Sequence, residues 1–203
     1  MKTINPYLKA WKGTMTNRER FLKQMTFQPF DRCVNMEFGY WDECFIKWSI
    51  FLENEITSNE EADRFFNFDR IEGVWPNNWM LPPFEERVLS ETETTKIMIN
   101  RDGLTAEVAK GWDSIPHFMS ATIVTPEDWK RCKEERFCID DPSRVPDPVQ
   151  VKLQHPDDRD YPLGIDCGSM IGKVRDMLTF EGLAYACYDY PDMVEDMVRP
   201  DRA

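Results

Sequence analysis

Three places in this 203-residue chain set reactive side chains where a fold could use them. Glu37 comes at the end of the apolar run 33–38, and Tyr40 and Trp41 follow directly. A carboxylate beside two flat rings is material for a pocket wall with one charged group. The plainer reading is a solvated loop acid. Asp166 interrupts a second apolar run, 161–167, near its C-terminal end. A buried acid needs a partner whether it serves function or only structure, so both readings stand. Arg175 is followed by Asp176 on a predicted helix. Its guanidinium is the preferred fork for an anionic substrate, and its plainer role is a surface ion pair.

Other residues spell weaker patterns. Gly168 and Gly172 are spaced as G-x-x-x-G, without the Lys-Ser/Thr of a P-loop or the third glycine of a dinucleotide fingerprint, so a tight turn is the simpler reading. The six cysteines, Cys33, Cys44, Cys132, Cys138, Cys167 and Cys187, contain no C-x-x-C pair and lack the density of a disulfide scaffold. Reduced thiols are expected. Cys132, Cys138 and His117 match no zinc-ligand spacing, and His117 and His155 read as loop residues rather than bases.

The elements that must hold these residues follow from local signals. Thr16 with Glu19 is a capping box opening a helix that places Phe21, Leu22 and Met25 on one face and ends near Thr26. Residues 28–32 make a turn, and 33–38 read as a largely buried strand stopped by Gly39. Trp41, Phe45, Trp48 and Leu52 then recur at helical spacing. Ser58 with Glu61 opens another helix, through Phe65 and Phe66, that stops near Phe68 and Asp69. Within 84–111, alternating runs on either side of Asp102-Gly103 spell a two-stranded β-hairpin. Thr125, Pro126 and the acids after them start a helix reaching about Arg136. The proline-rich stretch 139–160 is a long connection with at most one short helix, or a domain boundary. The strand at 161–167, its glycine turn and the helix beyond make the unit that presents loops at the C-terminal face of an α/β barrel. A last helix begins at Pro191 and carries Met193, Val194, Met197 and Val198.

Composition narrows the function classes. With 37 acidic against 25 basic residues, net charge −12 and no basic run, the chain lacks the clustered positive charge that grips nucleic acid or an anionic membrane. Seven Trp and thirteen Phe supply a core that a disordered chain would lack. No run approaches the ~20 apolar residues of a membrane span, and no apolar h-region follows Lys2, Lys9 and Lys12. A cytoplasmic protein is expected.

Several segments, taken in order, resemble the uroporphyrinogen decarboxylase superfamily. The opening 15–21 and then Pro29-Phe30-Asp31-Arg32 are similar to that family's first helix and the approach to its first barrel strand. Residues 65–69, Phe-Phe-Asn-Phe-Asp, resemble its helix end, aromatic-Gly-aromatic-Asp. Residues 161–195, with Pro162-Leu163-Gly164-Ile165, Gly168, Arg175-Asp176, Phe180-Glu181-Gly182-Leu183 and the stretch from Tyr188 to Asp192, resemble a strand, glycine turn, helix and Asp-x-Pro helix start.

The resemblance implies an α/β chain forming the N-terminal part of a TIM (β/α)8 barrel, incomplete, with an inserted β-hairpin: 15–75 for the first helix, first strand and following helices, 84–111 for the hairpin, 125–160 for a helix and connection, 161–198 for strand, turn and helix. A barrel takes about 250 residues, so this one is expected to stay open. In such a barrel Glu37, Tyr40, Trp41, Asp166 and Arg175 are the substrate-pocket candidates. The divergent branch, near the corrinoid-dependent methyltransferases, is the better match. The decarboxylase's Arg-rich loop is replaced by residues 36–41, where Glu37 would repel a polycarboxylate, and its pyrrole-binding Asp is replaced within 75–78. Asp69 matches a neighbouring structural position. The implied partner is a small-molecule substrate. Zinc and corrinoid would belong to a full-length protein, with ligands from later strands and none in this chain. An open barrel edge would favour self-association.

Overall fold

The computed structural model describes residues 13–111 and 115–199. The reading made above for the first twelve residues lies outside them. The fold is mixed α/β with one parallel and one antiparallel sheet and no closed barrel among the described residues. Two compact units divide it: residues up to Trp75 with Pro146–Asp166, and Pro76–Val145 with the chain from Cys167 on. A division point thus falls inside the proline-rich connection.

In the first unit, α1 (Asn17–Met25) starts at the expected capping box, with Thr16 Oγ1 accepting from Glu19 N–H and the Glu19 carboxylate accepting from Thr16 N–H, each 3.1 Å. The run 33–38 is not a strand. Its extended backbone has no ladder, because Val34 N–H goes to the Gln24 side chain and Asn35 N–H to the Asp69 carboxylate. One backbone bond remains to a neighbouring segment, from Asp69 N–H to Asn35 C=O at 2.7 Å. The single helix expected around 41–52 is two, α2 (Asp42–Lys47) and α3 (Ser49–Glu53), broken by extended Trp48. That break turns the stripe. Phe45 and Phe51 are buried, whereas Trp41, Trp48 and Leu52 face solvent. Ile56 and Ala62 complete a small core with the two phenylalanines.

Ser58 caps α4 (Asn59–Phe66) by accepting from Glu61 N–H, while the Glu61 carboxylate reaches Thr57 N–H, one residue earlier than a standard box. Asn67 ends α4 at φ +53. Asparagine tolerates that left-handed conformation better than other residues with a Cβ. Then β1 (Glu72–Val74) pairs in parallel with β6 (Leu163–Ile165). The expected strand 161–167 is therefore only three residues long, and its partner β1 carries no strand signal of its own. Between them in sequence, 139–160 holds a single 3-10 turn, Pro142–Arg144, and one short helix, α6 (Pro148–Gln154).

The second unit contains the hairpin, but in a larger sheet. β3 (Thr95–Ile99) and β4 (Leu104–Ala109) flank Asp102-Gly103, and β2 (Arg87–Glu91) and β5 (His117–Ala121) extend them to four antiparallel strands in order β2-β3-β4-β5. The two outer strands escape periodicity because β2 is exposed along its whole length and β5 nearly so, leaving no apolar alternation to read. His117 is thus a strand residue. Gly103 closes the turn at φ +80, with its N–H and that of Asp102 bonded to Asn100 oxygens.

α5 (Pro126–Arg136) has the expected cap, Thr125 accepting from Asp128 N–H, and buries Trp129 and Cys132. α7 (Met170–Asp189) follows Gly168 and is capped by Ser169, whose hydroxyl accepts from Gly172 N–H at 3.0 Å. It breaks at Thr179, φ +66. The Thr179 hydroxyl accepts from Gly182 N–H and so caps the second half. α8 (Pro191–Val198) lays Met193 and Met197 into a core with Val174, Met177, Leu178 and Leu183 of α7, Trp129 and Cys132 of α5, and Ile123. α7 rests on β4 and β5.

Candidate functional site

At the centre of the first unit three motif segments meet in one ionic network. Arg20, on α1, grips Asp31 with two bonds, Nε to Oδ1 at 2.8 Å and Nη2 to Oδ2 at 3.0 Å, and reaches Asp69 Oδ1 with Nη1 at 2.9 Å. Arg32 closes on the same Asp69 with Nη1 to Oδ2 at 2.6 Å and Nη2 to Oδ1 at 2.7 Å. Asn35 N–H adds a bond to Asp69 Oδ2 at 2.8 Å. Arg20 and Asp69 are only 3% and 7% exposed. Charges so buried persist only when paired and fully hydrogen-bonded. The bond from Arg20 holds the Asp31 carboxyl well below the usual carboxylate range. Burial pushes the Asp69 carboxyl up, but the bonds from Arg32 and Asn35 and the charges of both arginines outweigh it and leave it lowered. This network is architectural: both guanidinium groups turn inward onto the two carboxylates.

It anchors the segment that carries Glu37 and Tyr40. Beyond Asn35 the chain runs exposed through Met36, Glu37 and Phe38 to Gly39, at φ +119. Asn59, at the start of α4, fixes the turn: its Oδ1 accepts from Tyr40 N–H at 2.6 Å and its Nδ2 donates to Tyr40 C=O at 3.3 Å. Tyr40 packs edge-on against Phe51, ring centroids 5.0 Å apart. Burial first, then the negative charges of Glu37 and Asp63, raise its hydroxyl pKa and keep it a hydrogen-bond donor. Asp63, on α4, is itself pushed up by burial and by the charges of Glu37 and Glu60. Glu37 accepts from the neighbouring Phe38 N–H at 2.9 Å. Two acids and a phenol thus share one field, which suits a cation or a proton-bearing group and repels anions.

Comparison with protein-family models, with curated proteins and with solved structures finds no match for this chain.

The structure gathers the sequence-derived candidates only in part. Glu37 and Tyr40 act on one another electrostatically, and Trp41, exposed, follows at the N-cap of α2. Asp166 lies just past β6 and is exposed, so the buried-carboxylate reading does not hold. Arg175 lies in the other unit, bonded to Asp176 Oδ1 at 2.7 Å, both side chains about half exposed, the surface pair of the plainer reading. Asp63 and Asn59 were not singled out from sequence. The signal was present only as helix spacing: both lie on α4, one turn apart, on the side turned toward the Gly39–Tyr40 loop. Among the described residues no group of three His, Cys, Asp or Glu side chains is placed to hold a metal ion. Cys132 is buried, and burial pushes its thiol up to about 11, away from the thiolate a metal requires.

Proposed function

We propose that the chain is a uroporphyrinogen decarboxylase-like domain, the N-terminal part of an incomplete (β/α)8 barrel of the divergent branch, serving an enzyme that acts on a small molecule by lyase or methyl-transfer chemistry. The observation that carries the reading is the convergence of Arg20, Asp31, Arg32 and Asp69 on one buried network. These residues come from three of the segments on which the resemblance rests. Asn67 adds support, with its left-handed backbone where the family has glycine. So does the parallel pair β1 and β6, whose residues are far apart in sequence. In this reading Glu37, Tyr40, Trp41 and Asp166 border the substrate, and the acidic field of Glu37 and Asp63 selects against polycarboxylates such as uroporphyrinogen. Zinc and corrinoid belong to the methyltransferase form of the proposal. The described residues do not supply a zinc ligand set, so no chemical step is assigned to either group.

The test is to read the coding sequence that follows Ala203 and to assay the protein it encodes. Alternating strands and helices downstream are expected, and a His-x-Cys with a later Cys together with methylation of cobalamin would favour the methyl-transfer form. Coproporphyrinogen formed above the no-enzyme control would overturn the exclusion of polycarboxylates. An unrelated downstream fold would overturn the family.

A second reading is a catalytically inert half-barrel that self-associates through its open sheet. It is favoured by the exposure of Ile165 on the two-stranded parallel sheet and of Met36 and Phe38 in the same unit, with Phe38 100% exposed. Both readings expect self-association, so turnover separates them: the inert form is expected to show no lyase or methyl-transfer activity in the assay above at any concentration.

A further inference from the structure

We propose that the groove between α5 and α8 binds an amphipathic organic cation, an amine or quaternary ammonium carried on an apolar body. The groove lies wholly within the second unit and does not depend on the family proposed above. Its volume is about 890 Å³, inside the range of roughly 300–1,000 Å³ in which small-molecule sites fall. Phe137 and Tyr190 offer its accessible rings, over the edges of buried Trp129 and Met193.

The floor is set in advance. Asp196, on α8, accepts from Trp129 Nε1 at 2.6 Å and from Lys133 Nζ at 2.7 Å, which ties α8 to α5 and fixes the indole. Trp129 and Phe137 pack with ring centroids 5.5 Å apart. A ligand therefore meets a surface whose rotamers are already fixed, and little ordering cost is left for binding.

The charges decide what kind of body fits. Lys133 is neutralised by Asp196. Of the remaining charged residues around the groove, Lys130 is opposed by Glu134, Asp189 and Asp192, an excess of two negative charges. None of these three carboxylates has a partner among the described residues, so each is free to meet a ligand. An anion would be repelled, and a neutral apolar body would leave the carboxylates unused. A cation satisfies both the carboxylates and the rings of Phe137 and Tyr190, whose quadrupole attracts positive charge.

Isothermal titration calorimetry of the whole chain with three probes of one skeleton tests this: phenylpropylamine as its ammonium ion, phenylpropanol and phenylpropanoate. The ammonium is expected to bind about tenfold more tightly than the alcohol, and the carboxylate to give no heat. Asp189→Asn and Asp192→Asn are each expected to weaken the ammonium by roughly 3–10-fold, and Lys130→Gln to tighten it by a similar factor, the size of one charge acting across a partly solvated gap. Equal affinity for ammonium and alcohol, tighter binding of the carboxylate, no heat from any probe, or charge variants without effect would each overturn the proposal. Circular dichroism of the three variants confirms that they fold.

Discussion

At the scale of single residues the chain invests in Asp69. Its two oxygens take four bonds, one from Arg20, two from Arg32 and one from Asn35, and its removal takes from Arg32 its bidentate carboxylate and from Arg20 one of two. Asp69→Asn is expected to cost about 3–5 kcal/mol in chemical denaturation, the penalty for breaking a buried pair from one side. The acid response follows from the same contacts. Asp31 and Asp69 have folded-state pKa values below the ordinary value of 3.8, so each contributes stability that is fully present above that value and is lost as pH falls through the lowered one. The protein should therefore lose stability as pH drops below about 4, and Asp69→Asn should flatten that loss. Asp63 has the opposite sign. Its pKa is raised by burial and by Glu37 and Glu60, so its charged form at neutral pH weakens the fold. Asp63→Asn should stabilise by about a few tenths of a kcal/mol at pH 7, with the gain vanishing as the pH falls below the ordinary carboxylate range. A melting temperature unchanged by Asp63→Asn across that pH span would show that Glu37 and Asp63 do not share a field.

At the scale of elements, the local signals that held were those in which side chain and backbone satisfy each other within a few residues. The caps at Thr16, Ser58 and Thr125 and the turn at Gly103 all stand where spacing put them. Gly103 takes φ +80, and a Cβ there would come 2.7 Å from the Phe84 ring. Gly103→Ala should cost about 1–2 kcal/mol for the left-handed backbone, with a further penalty for displacing Phe84, read as a lowered denaturation midpoint. Thr179 poses the reverse case, a β-branched residue at φ +66 between the halves of α7. Glycine removes that strain and is nearly as good an N-cap, so Thr179→Gly should raise stability by about 1 kcal/mol. Periodicity failed where tertiary contacts competed. The run 33–38 gave its N–H groups to Gln24 and Asp69 instead of a ladder, and the break at Trp48 exchanged Leu52 for Phe51 in the core.

At the scale of the whole molecule, the three-residue parallel pair leaves Ile165 62% exposed, and the ladderless run 33–38 leaves Met36 59% exposed. Exposed apolar area is worth about 25 cal/mol per Å² when it finds cover, enough to drive association when several large side chains contribute. The purified chain is expected to bind a hydrophobic dye and to sediment as a concentration-dependent mixture. A compact monomer with no dye signal would mean that this surface is covered. No helix among the described residues is long and apolar enough to cross a membrane. The sequence by itself determined the mixed α/β class, the capped helices α1, α4 and α5, the hairpin turn and the placement of Tyr40 beside Glu37, because each rests on contacts between near neighbours in the chain. Tertiary structure alone decided that Arg20, Asp31, Arg32 and Asp69 form one network, that β1 pairs with β6, and that β2 and β5 complete the antiparallel sheet. Those outcomes depend on which distant groups can satisfy a buried charge or an unpaired strand edge, and no spacing along the chain records that.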